Sequence, residues 1–186
     1  MSDNVFMAGY GGQGILVIGN LLACGAILEG HNASYFPAYG PEKRGGSAMC
    51  TVIVADSEIG SPVIGRPRVA LLLNQIAMDK YFSQIKPGGI CLYNSSLVDH
   101  LPSQRDDLCL IAMPANEMAY EIGNPRLVNM LMLGAYAEKT GAVRLASLKA
   151  GLELILPERN KRFIPANVEA LDRGAAFVRD SVAAAC

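Results

Sequence analysis

The 186-residue sequence has few of the side chains that bind metals and iron–sulfur clusters. It contains two histidines and five cysteines, and no two of the cysteines form a C-x-x-C pair. Iron–sulfur and zinc sites need clustered thiolates or imidazoles. We therefore predict that this chain holds no metal and no cofactor of its own.

Catalytic motifs are also missing. The sequence contains no G-x-S-x-G elbow, no Walker lysine and no H-E-x-x-H pair. The two histidines, His31 and His100, fall near the ends of predicted elements, where a surface or capping role is more common than a role as a general base. We predict that the chain supplies no catalytic residue.

Excess charge and long hydrophobic runs are equally scarce. The formal net charge is −1, without the basic patch that nucleic-acid binding needs. The first residues lack the basic start of a secretory signal. The apolar run at 15–28 is too short to span a bilayer, and Gly19, Asn20 and Gly25 interrupt it. We expect a soluble, cytoplasmic protein without nucleic-acid or membrane partners.

Apolar residues make up 51% of the sequence, and their pattern alternates between strands and helices. The predicted strands are 5–8, 48–55, 69–73, 89–93 and 108–112, and the predicted helices between them are 15–28, 76–85 and 127–140. This alternation is typical of helices packed on a parallel sheet. We predict one domain, 1–186, with a three-layer α/β/α Rossmann-like sandwich and a largely parallel (mixed) sheet.

Two parts of the chain depart from that alternation. Residues 34–55 leave no room for a helix, so strands there are expected to join directly and run antiparallel, and residues 55–67 form a Gly-, Pro- and Ser-rich loop. Helices are predicted from about residue 145 onward, at 145–156 and 167–185 with a charged link between them. The last helix is expected to pack on the sheet or to reach another subunit.

A glycine-rich turn lies between the first strand and the first helix. Gly9, Gly11, Gly12, Gln13 and Gly14 belong to the segment Gly-Tyr-Gly-Gly-Gln-Gly. Glycines let the backbone turn sharply, and we expect a positive φ at Gly11. The N-terminus of the helix that follows presents N–H groups and the positive end of its dipole. We therefore predict an anion site at this turn, which contacts either a phosphate-bearing ligand or the backbone of a partner.

Two other interpretations of the turn remain open. The glycines fit the G-x-G-x-x-G pattern of NAD- and FAD-binding proteins, which also expects an acidic residue at the end of the second strand. Glu29 precedes that strand and Glu42 follows it, so neither is well placed. Alternatively, the glycines only allow close packing between helix and strand.

A second loop carries charged residues between glycines. It reads Tyr39-Gly-Pro-Glu42-Lys-Arg44-Gly45-Gly46-Ser. Arg44 is suited to bind a carboxylate or phosphate with its planar guanidinium, whereas Glu42 could instead pair with it and brace the loop. A solvated hairpin is the alternative, although the aromatic residues before the loop favour an interface.

Polar residues follow the later strands of the predicted sheet. Asn94 and Ser95 come directly after the strand at 89–93. Since ligands gather at the carboxyl ends of parallel strands, these side chains are candidates to bind a ligand. Capping of a helix or turn is the alternative.

The two loops together resemble the gamma subunit of 2-oxoacid:ferredoxin oxidoreductases. The similarity starts at Gly9-Tyr-Gly-Gly-Gln-Gly-Ile and Tyr39-Gly-Pro-Glu-Lys-Arg-Gly-Gly. It continues through Gly60-Ser-Pro, Gly88-Gly with Asn94-Ser-Ser, Gly123-Asn-Pro-Arg with Asn129-Met, and Pro165-Ala-Asn with the helix to Gly174. It covers nearly the whole chain in order. The second loop is most similar to the branch acting on 2-oxoglutarate or branched-chain 2-oxoacids.

The resemblance implies a complex that oxidatively decarboxylates a 2-oxoacid, 2-oxoglutarate being favoured, to an acyl-CoA and passes electrons to ferredoxin. It implies alpha and beta subunits that bind thiamine diphosphate and a ferredoxin-like delta subunit. Iron–sulfur clusters belong to the partner subunits, and coenzyme A is the co-substrate. The gamma chain would complete the complex and shape the coenzyme A entrance through the glycine turn and the second loop.

Two further hypotheses compete with that interpretation. One is a stand-alone nucleotide-binding oxidoreductase of Rossmann type. The other is a non-catalytic scaffold that uses the same loops only for protein contacts. Under the gamma-subunit interpretation the isolated chain is predicted to be inactive.

Overall fold

The computed structural model describes residues 2–39 and 46–181. The six strands are β1 (Ser2–Tyr10), β2 (Asn32–Tyr39), β3 (Ser47–Ala55), β4 (Val69–Leu72), β5 (Ile90–Asn94) and β6 (Cys109–Met113). The six α-helices of these residues are α1 (Ile15–Leu28), α2 (Gln75–Tyr81), α3 (Ala115–Glu121), α4 (Val128–Thr140), α5 (Leu145–Ile155) and α6 (Ile164–Ser181).

The strands form one sheet in the order β2-β3-β1-β4-β5-β6. β3 runs antiparallel to both β1 and β2, whereas β1, β4, β5 and β6 are mutually parallel. The sheet is therefore mixed with a single reversed strand, and the predicted fold class is confirmed. The direct antiparallel connection expected within 34–55 is confirmed as well, because β2 pairs with β3 along its whole length.

The two faces of the sheet bury different helices because strand side chains alternate between them. Val5, Met7, Leu71 and Leu73 face a core built with α1, α3, α4, α5 and α6. Ala8, Ala70 and Leu72 face a smaller core with α2 and the short 3-10 turn Phe82–Gln84. One face of the sheet is thus covered by several α-helices, including α1, and the opposite face by α2 and the 3-10 turn.

Most predicted elements are present, but β1 is longer than the predicted 5–8, and residues 182–185 of the last predicted helix lie outside the described residues. Three further differences concern the helices. The helix expected at 76–85 ends at Tyr81 and continues as the 3-10 turn. The charged link is a 3-10 segment, Glu158–Phe163, and α6 already begins at Ile164, because a proline is tolerated in the first turn of a helix. The seven-residue helix α3 was not predicted.

Helices α5 and α6 pack on the inner helices rather than on the sheet. α5 contacts α1, and α6 crosses α4. Lys149 on α5 also pairs with Asp172 on α6, with 2.6 Å between Nζ and Oδ1. No helix of residues 2–39 and 46–181 combines the length and the apolar character needed to cross a bilayer.

A buried acid connects α4 to the amino end of the sheet. Asp3, which is 3% exposed, accepts a hydrogen bond from the Tyr136 hydroxyl at 2.8 Å and pairs with Nη1 of Arg68 at 2.6 Å. Burial, followed by the nearby Asp3 carboxylate, raises the pKa of the Tyr136 phenol well above its ordinary value. The network lies at the end of the sheet opposite to the glycine turn.

Stability is expected to fall in alkaline solution because two thiols are buried. Burial raises the pKa of Cys50 and of Cys91 to about 12. In the unfolded chain thiols lose their protons from about pH 8.5, so the folded state binds more protons between there and pH 12. The free energy of unfolding should therefore decrease as pH rises through this window, by up to about 1.4 kcal/mol per pH unit for each thiol.

Urea unfolding of the Cys91→Ala variant at pH 8, 9.5 and 11 checks this expectation. The variant should lose less stability with pH than the unmodified chain, since one of the two thiols is gone. Val52→Ala serves as the control, because Val52 is fully buried and cannot titrate. A Cys91→Ala slope equal to that of the unmodified chain would contradict the prediction.

Candidate functional site

The carboxyl ends of β1 and β4 meet where the chain connections diverge. α1 follows β1 and packs on one face of the sheet, whereas α2 follows β4 and packs on the other. This is the topological switch point of an open α/β sheet, where a crevice forms between adjacent loops. The glycine turn after β1 and the Asn74 segment after β4 form its two sides.

Gln13 joins these two sides. Its side-chain Oε1 accepts a hydrogen bond from the backbone N–H of Tyr10 at 2.6 Å and another from Nδ2 of Asn74 at 3.1 Å. Its Nε2 lies 3.5 Å from the carbonyl oxygen of Leu73. Asn74 in turn caps α2 by accepting from the N–H of Ala77 at 2.9 Å. One glutamine therefore holds the turn, the end of β4 and the start of α2 in a fixed arrangement.

The second loop ends at the same place. The carbonyl oxygen of Gly46 accepts a hydrogen bond from the N–H of Gly11 at 2.7 Å, and Ser47 pairs with Tyr10 in the β1–β3 ladder. The structure thus brings Gly9, Gly11 and Gln13 together with Gly46. The predicted site residues Glu42, Arg44 and Gly45 lie outside the described residues.

The glycines of the turn have different roles. Gly12 and Gly14 have φ values of 102° and 74°, so positive φ is required at these two positions. The expectation for Gly11 is wrong, because positive φ is not found there. Gly11 is restricted instead by the Gly46 carbonyl, which would lie 3.3 Å from an added Cβ. At Gly9 an added Cβ would overlap the Gln13 side chain.

A pocket of about 230 Å³ opens between these loops. Its described lining is Gly9, Tyr10, Gly46, Ser47, Asn74, Ile76, Ala77, Lys80 and Tyr81. Lys80 is the one cation among these described lining residues, its Nζ lies 5.2 Å from the centroid of the Tyr81 ring, and no carboxylate is among them. The volume is below the roughly 300–1,000 Å³ of a complete small-molecule site, so the pocket fits one part of a larger ligand.

Three predicted site residues lie away from this pocket. Tyr39 is 72% exposed at the end of β2. Asn94 is fully buried, and its Oδ1 accepts from the N–H groups of Ser96 and Ala115, both at 3.2 Å. The N–H of Ser95 donates to the carbonyl of Met113 at 2.8 Å. The geometry of Asn94 and Ser95 favours the capping alternative, in which they brace the ends of β5 and β6.

Of the lining residues only Gly9 and Gly46 were predicted as site residues, and the α2 side of the pocket, with Lys80 and Tyr81, was not predicted. A signal for Lys80 exists, since it is the basic residue on the helix that follows β4. The sequence pattern alone does not say that β4 lies beside β1, however, and only this adjacency brings α2 to the glycine turn. Within the described residues, no group of three or more histidine, cysteine or acidic side chains is arranged to hold a metal ion.

The site also separates this fold from dinucleotide-binding domains. In those domains an acidic residue at the end of the second strand binds the ribose. Here β3 separates β2 from β1, and the parallel strand beside β1 is β4, which is followed by Leu73, Asn74 and Gln75 and not by an acidic residue. This topology argues against the NAD or FAD interpretation.

The fold and the site define an α/β domain with a glycine turn and a small pocket at the carboxyl edge of its sheet. Comparison with known proteins then identifies the family. A model described as pyruvate ferredoxin/flavodoxin oxidoreductase matches residues 4–177, and the chain belongs to this family.

Relatives named for two different 2-oxoacids are similar to this chain in sequence. The ketoisovalerate oxidoreductase subunit VorA of Methanothermobacter marburgensis is 35% identical over 179 residues, which is 96% of this chain but 37% of that protein. The 2-oxoglutarate synthase subunit KorC of Methanocaldococcus jannaschii is 32% identical over 154 residues, which is 82% of each chain. The chain therefore spans little more than a third of the VorA relative and most of the KorC relative.

Solved structures agree with this assignment. A keto/oxoacid ferredoxin oxidoreductase gamma subunit from Geobacter sulfurreducens matches with a TM-score of 0.83 and 29% identity, covering 96% of this chain and 99% of that one. A 2-oxoglutarate:ferredoxin oxidoreductase chain from Magnetococcus marinus matches with a TM-score of 0.87 and 25% identity, covering 96% of this chain and 31% of that one. That enzyme was solved with 2-oxoglutarate, coenzyme A and succinyl-CoA bound.

Replacing the turn glycines should destabilise the fold in a defined order. Gly14→Ala should be the most costly, about 2–3 kcal/mol, because it adds the cost of positive φ to an overlap with the Asn129 side-chain amide. Gly12→Ala should cost about 1–2 kcal/mol, since only its φ is unfavourable. Gly11→Ala should cost least.

Urea unfolding of the three variants side by side checks this order. All three changes add the same methyl group within four residues, so each variant serves as a control for the others. A Gly11→Ala loss larger than that of Gly14→Ala would show that the turn is not constrained as described.

Proposed function

We propose that this chain is the gamma subunit of a 2-oxoacid:ferredoxin oxidoreductase and that it helps to bind coenzyme A. The first part is supported by the structural similarity to a solved gamma subunit, which extends over 96% of this chain. The second part is supported by the pocket at the switch point, where the glycine turn, Gly46 and Lys80 converge. The Lys80 ammonium is suited to bind a phosphate of coenzyme A, and Gly9 and Gly46 let a ligand approach the backbone closely.

The partners would supply the chemistry. In this proposal alpha and beta subunits bind thiamine diphosphate, a ferredoxin-like delta subunit and the beta subunit hold iron–sulfur clusters, and ferredoxin accepts the electrons in the cytoplasm. The chain itself contributes a ligand surface and subunit contacts. A scaffold role without ligand contacts is the competing proposal, and it predicts that changes in the pocket affect assembly alone.

2-Oxoglutarate is the substrate we favour, on the similarity to KorC proteins of comparable length. The VorA relative, which is 35% identical, makes 3-methyl-2-oxobutanoate (ketoisovalerate) the second candidate. The 2-oxoacid itself would be selected by the subunits that carry thiamine diphosphate. The choice is therefore tested on the assembled complex.

Reconstitution with and without this chain is the decisive experiment. The complete complex should reduce ferredoxin with a 2-oxoacid and coenzyme A, and omission of the chain should abolish acyl-CoA formation. The isolated chain should reduce neither ferredoxin nor a dye. Full turnover without the chain, or turnover by the chain alone, would overturn the proposal, and a preference for ketoisovalerate would overturn only the choice of substrate.

Arg44→Ala should lower coenzyme A-dependent turnover of the complex about tenfold without unfolding the chain. Arg44 precedes Gly46 by two residues, and Gly46 lies at the pocket. Loss of a charge-assisted hydrogen bond to an anion costs about 1.5–3 kcal/mol. Lys43→Ala, one residue away in the same loop, is the matched control. Equal turnover of the Arg44→Ala and unmodified complexes would remove Arg44 from the site.

A further inference from the structure

A second pocket lies on the other side of the α1 N-terminus. It has a volume of about 380 Å³ and is formed where the first turns of α1, α4 and α6 approach the segment Glu158–Phe163. Val17, Leu127 and Leu156 supply apolar lining. The volume is within the range of small-molecule sites. The function proposed above does not use this pocket.

The polar lining consists of amides and one guanidinium. Asn124, Asn160 and Asn167 line the pocket together with Arg126, and no carboxylate is among the described lining residues. Among residues 2–39 and 46–181, no ion pair or side-chain hydrogen bond occupies the Arg126 guanidinium, and the Asn160 amide also has no partner. The pocket therefore offers an uncompensated positive charge beside the free Asn160 amide, whereas Asn124 accepts from the Arg126 N–H and Asn167 donates to the Phe163 carbonyl.

An aromatic ring completes the lining. Phe163 is 43% exposed, and the guanidinium of Arg162 lies 4.7 Å from its ring centroid. A second cation thus approaches the rim of the pocket. A partly exposed ring beside cations suits a ligand that combines a planar apolar group with negative charge.

Segments that are distant in sequence converge on this pocket. The function proposed above assigns these segments no role. Asn124 with Arg126, Asn129 with Met130, and Asn167 belong to the motifs that carry the resemblance, yet none contacts the glycine-turn pocket. Asn129 also donates to the carbonyl of Gly14 at 3.3 Å. The second pocket is therefore a built feature that is hydrogen-bonded to the cap of α1.

We propose that this second pocket binds the adenosine phosphate part of a nucleotide. Arg126 would bind the phosphate through its planar fork. An asparagine amide pairs a donor with an acceptor, as the edge of adenine does, and Asn160 offers such an amide. The ring of Phe163 provides a surface for the base. Free adenine nucleotides and the 3′-phospho-ADP end of coenzyme A share this chemistry.

Calorimetric titration of the full 186-residue chain tests the proposal. The probes are ADP, 3′,5′-ADP, coenzyme A, pantetheine, GDP and inorganic phosphate. ADP and 3′,5′-ADP should bind, whereas pantetheine and inorganic phosphate should not, and GDP should bind at least tenfold more weakly. Binding of coenzyme A in competition with ADP would identify coenzyme A as a source of the ligand, and no competition would leave free nucleotides as the source.

Variants locate the site. Arg126→Gln should weaken ADP binding about 10- to 100-fold, and Asn160→Ala should reduce the preference for ADP over GDP. Arg159→Gln is the matched control, because Arg159 is a neighbouring arginine that does not line the pocket. Equal melting temperatures show that the variants are folded.

Three results would overturn the proposal: no binding of any adenine nucleotide, equal binding of inorganic phosphate, or ADP binding that Arg126→Gln leaves unchanged. Failure of this proposal and failure of the proposed function give different results. A reconstituted complex without oxoacid activity would refute the gamma-subunit proposal and leave nucleotide binding by this pocket standing, and the reverse also holds.

Discussion

A Gly174→Ala chain should lose about 3 kcal/mol of its free energy of unfolding, at the upper end of the usual cost of overpacking. In a helix this exchange ordinarily stabilises by up to about 1 kcal/mol. Here an added Cβ would overlap the backbone carbonyl of Leu131 on α4. Backbone atoms cannot rotate away, so α4 and α6 would have to separate.

The reciprocal contact explains why this position is so sensitive. A Cβ added at Gly134 on α4 would overlap the carbonyl of Leu171 on α6. Each helix therefore presents a glycine to the backbone of the other, and both sites lie within the large core. Gly134→Ala should be similarly destabilising, and the double variant should lose less than the sum because the two sites share one interface.

Thermal and urea unfolding measure this effect. A loss of about 3 kcal/mol corresponds to a decrease in Tm of roughly 6–12 °C for a chain of this size. Gly60→Ala is the control, since nothing lies within 4 Å of its added Cβ. A Gly174→Ala chain within 0.5 kcal/mol of the unmodified one, a difference usual for surface substitutions, would show that the helices do not make this contact.

Local patterns predicted the elements that depend on local signals. The α1 helix has the predicted bounds, 15–28, because a continuous apolar run follows the glycine turn and ends before Gly30. α3 was missed because it has only seven residues and begins directly after Pro114, in a segment that otherwise resembles a loop. Short helices that depend on tertiary packing carry a weak periodic signal.

The candidate site needed information that is not local. Gly11 and Gly46 are 35 residues apart in sequence and are joined by a hydrogen bond, because the antiparallel β1–β3 register brings them together. Nothing in the sequence pattern indicates that β3 inserts between β1 and β2, or that β4 lies on the other side of β1. The sequence therefore predicted an anion site at the glycine turn but did not place Lys80 beside it.

Gln13→Ala should cause the largest loss of activity in the assembled complex, about 10- to 100-fold in kcat/KM for coenzyme A. Gln13 holds the glycine turn, the Leu73 carbonyl and Asn74 in one arrangement. Without it, the Tyr10 N–H loses its acceptor, and no side chain joins the glycine turn to the Asn74 side of the pocket. Misplacement of a binding group by about 1 Å reduces rates by as much as 100-fold.

Gln13→Glu distinguishes positioning from simple loss of contacts. A carboxylate can still accept hydrogen bonds from Tyr10 and Asn74, but it cannot donate to Leu73 and it places a negative charge beside the pocket. If the ligand is anionic, Gln13→Glu should raise the KM for coenzyme A more than Gln13→Ala does. Gln104→Ala is the control, because within the described part of the chain the Gln104 side chain bonds to Asp106 on the surface and to no other residue. Unchanged steady-state kinetics in Gln13→Ala would show that coenzyme A does not depend on this turn, which would leave the chain a purely structural role in the complex.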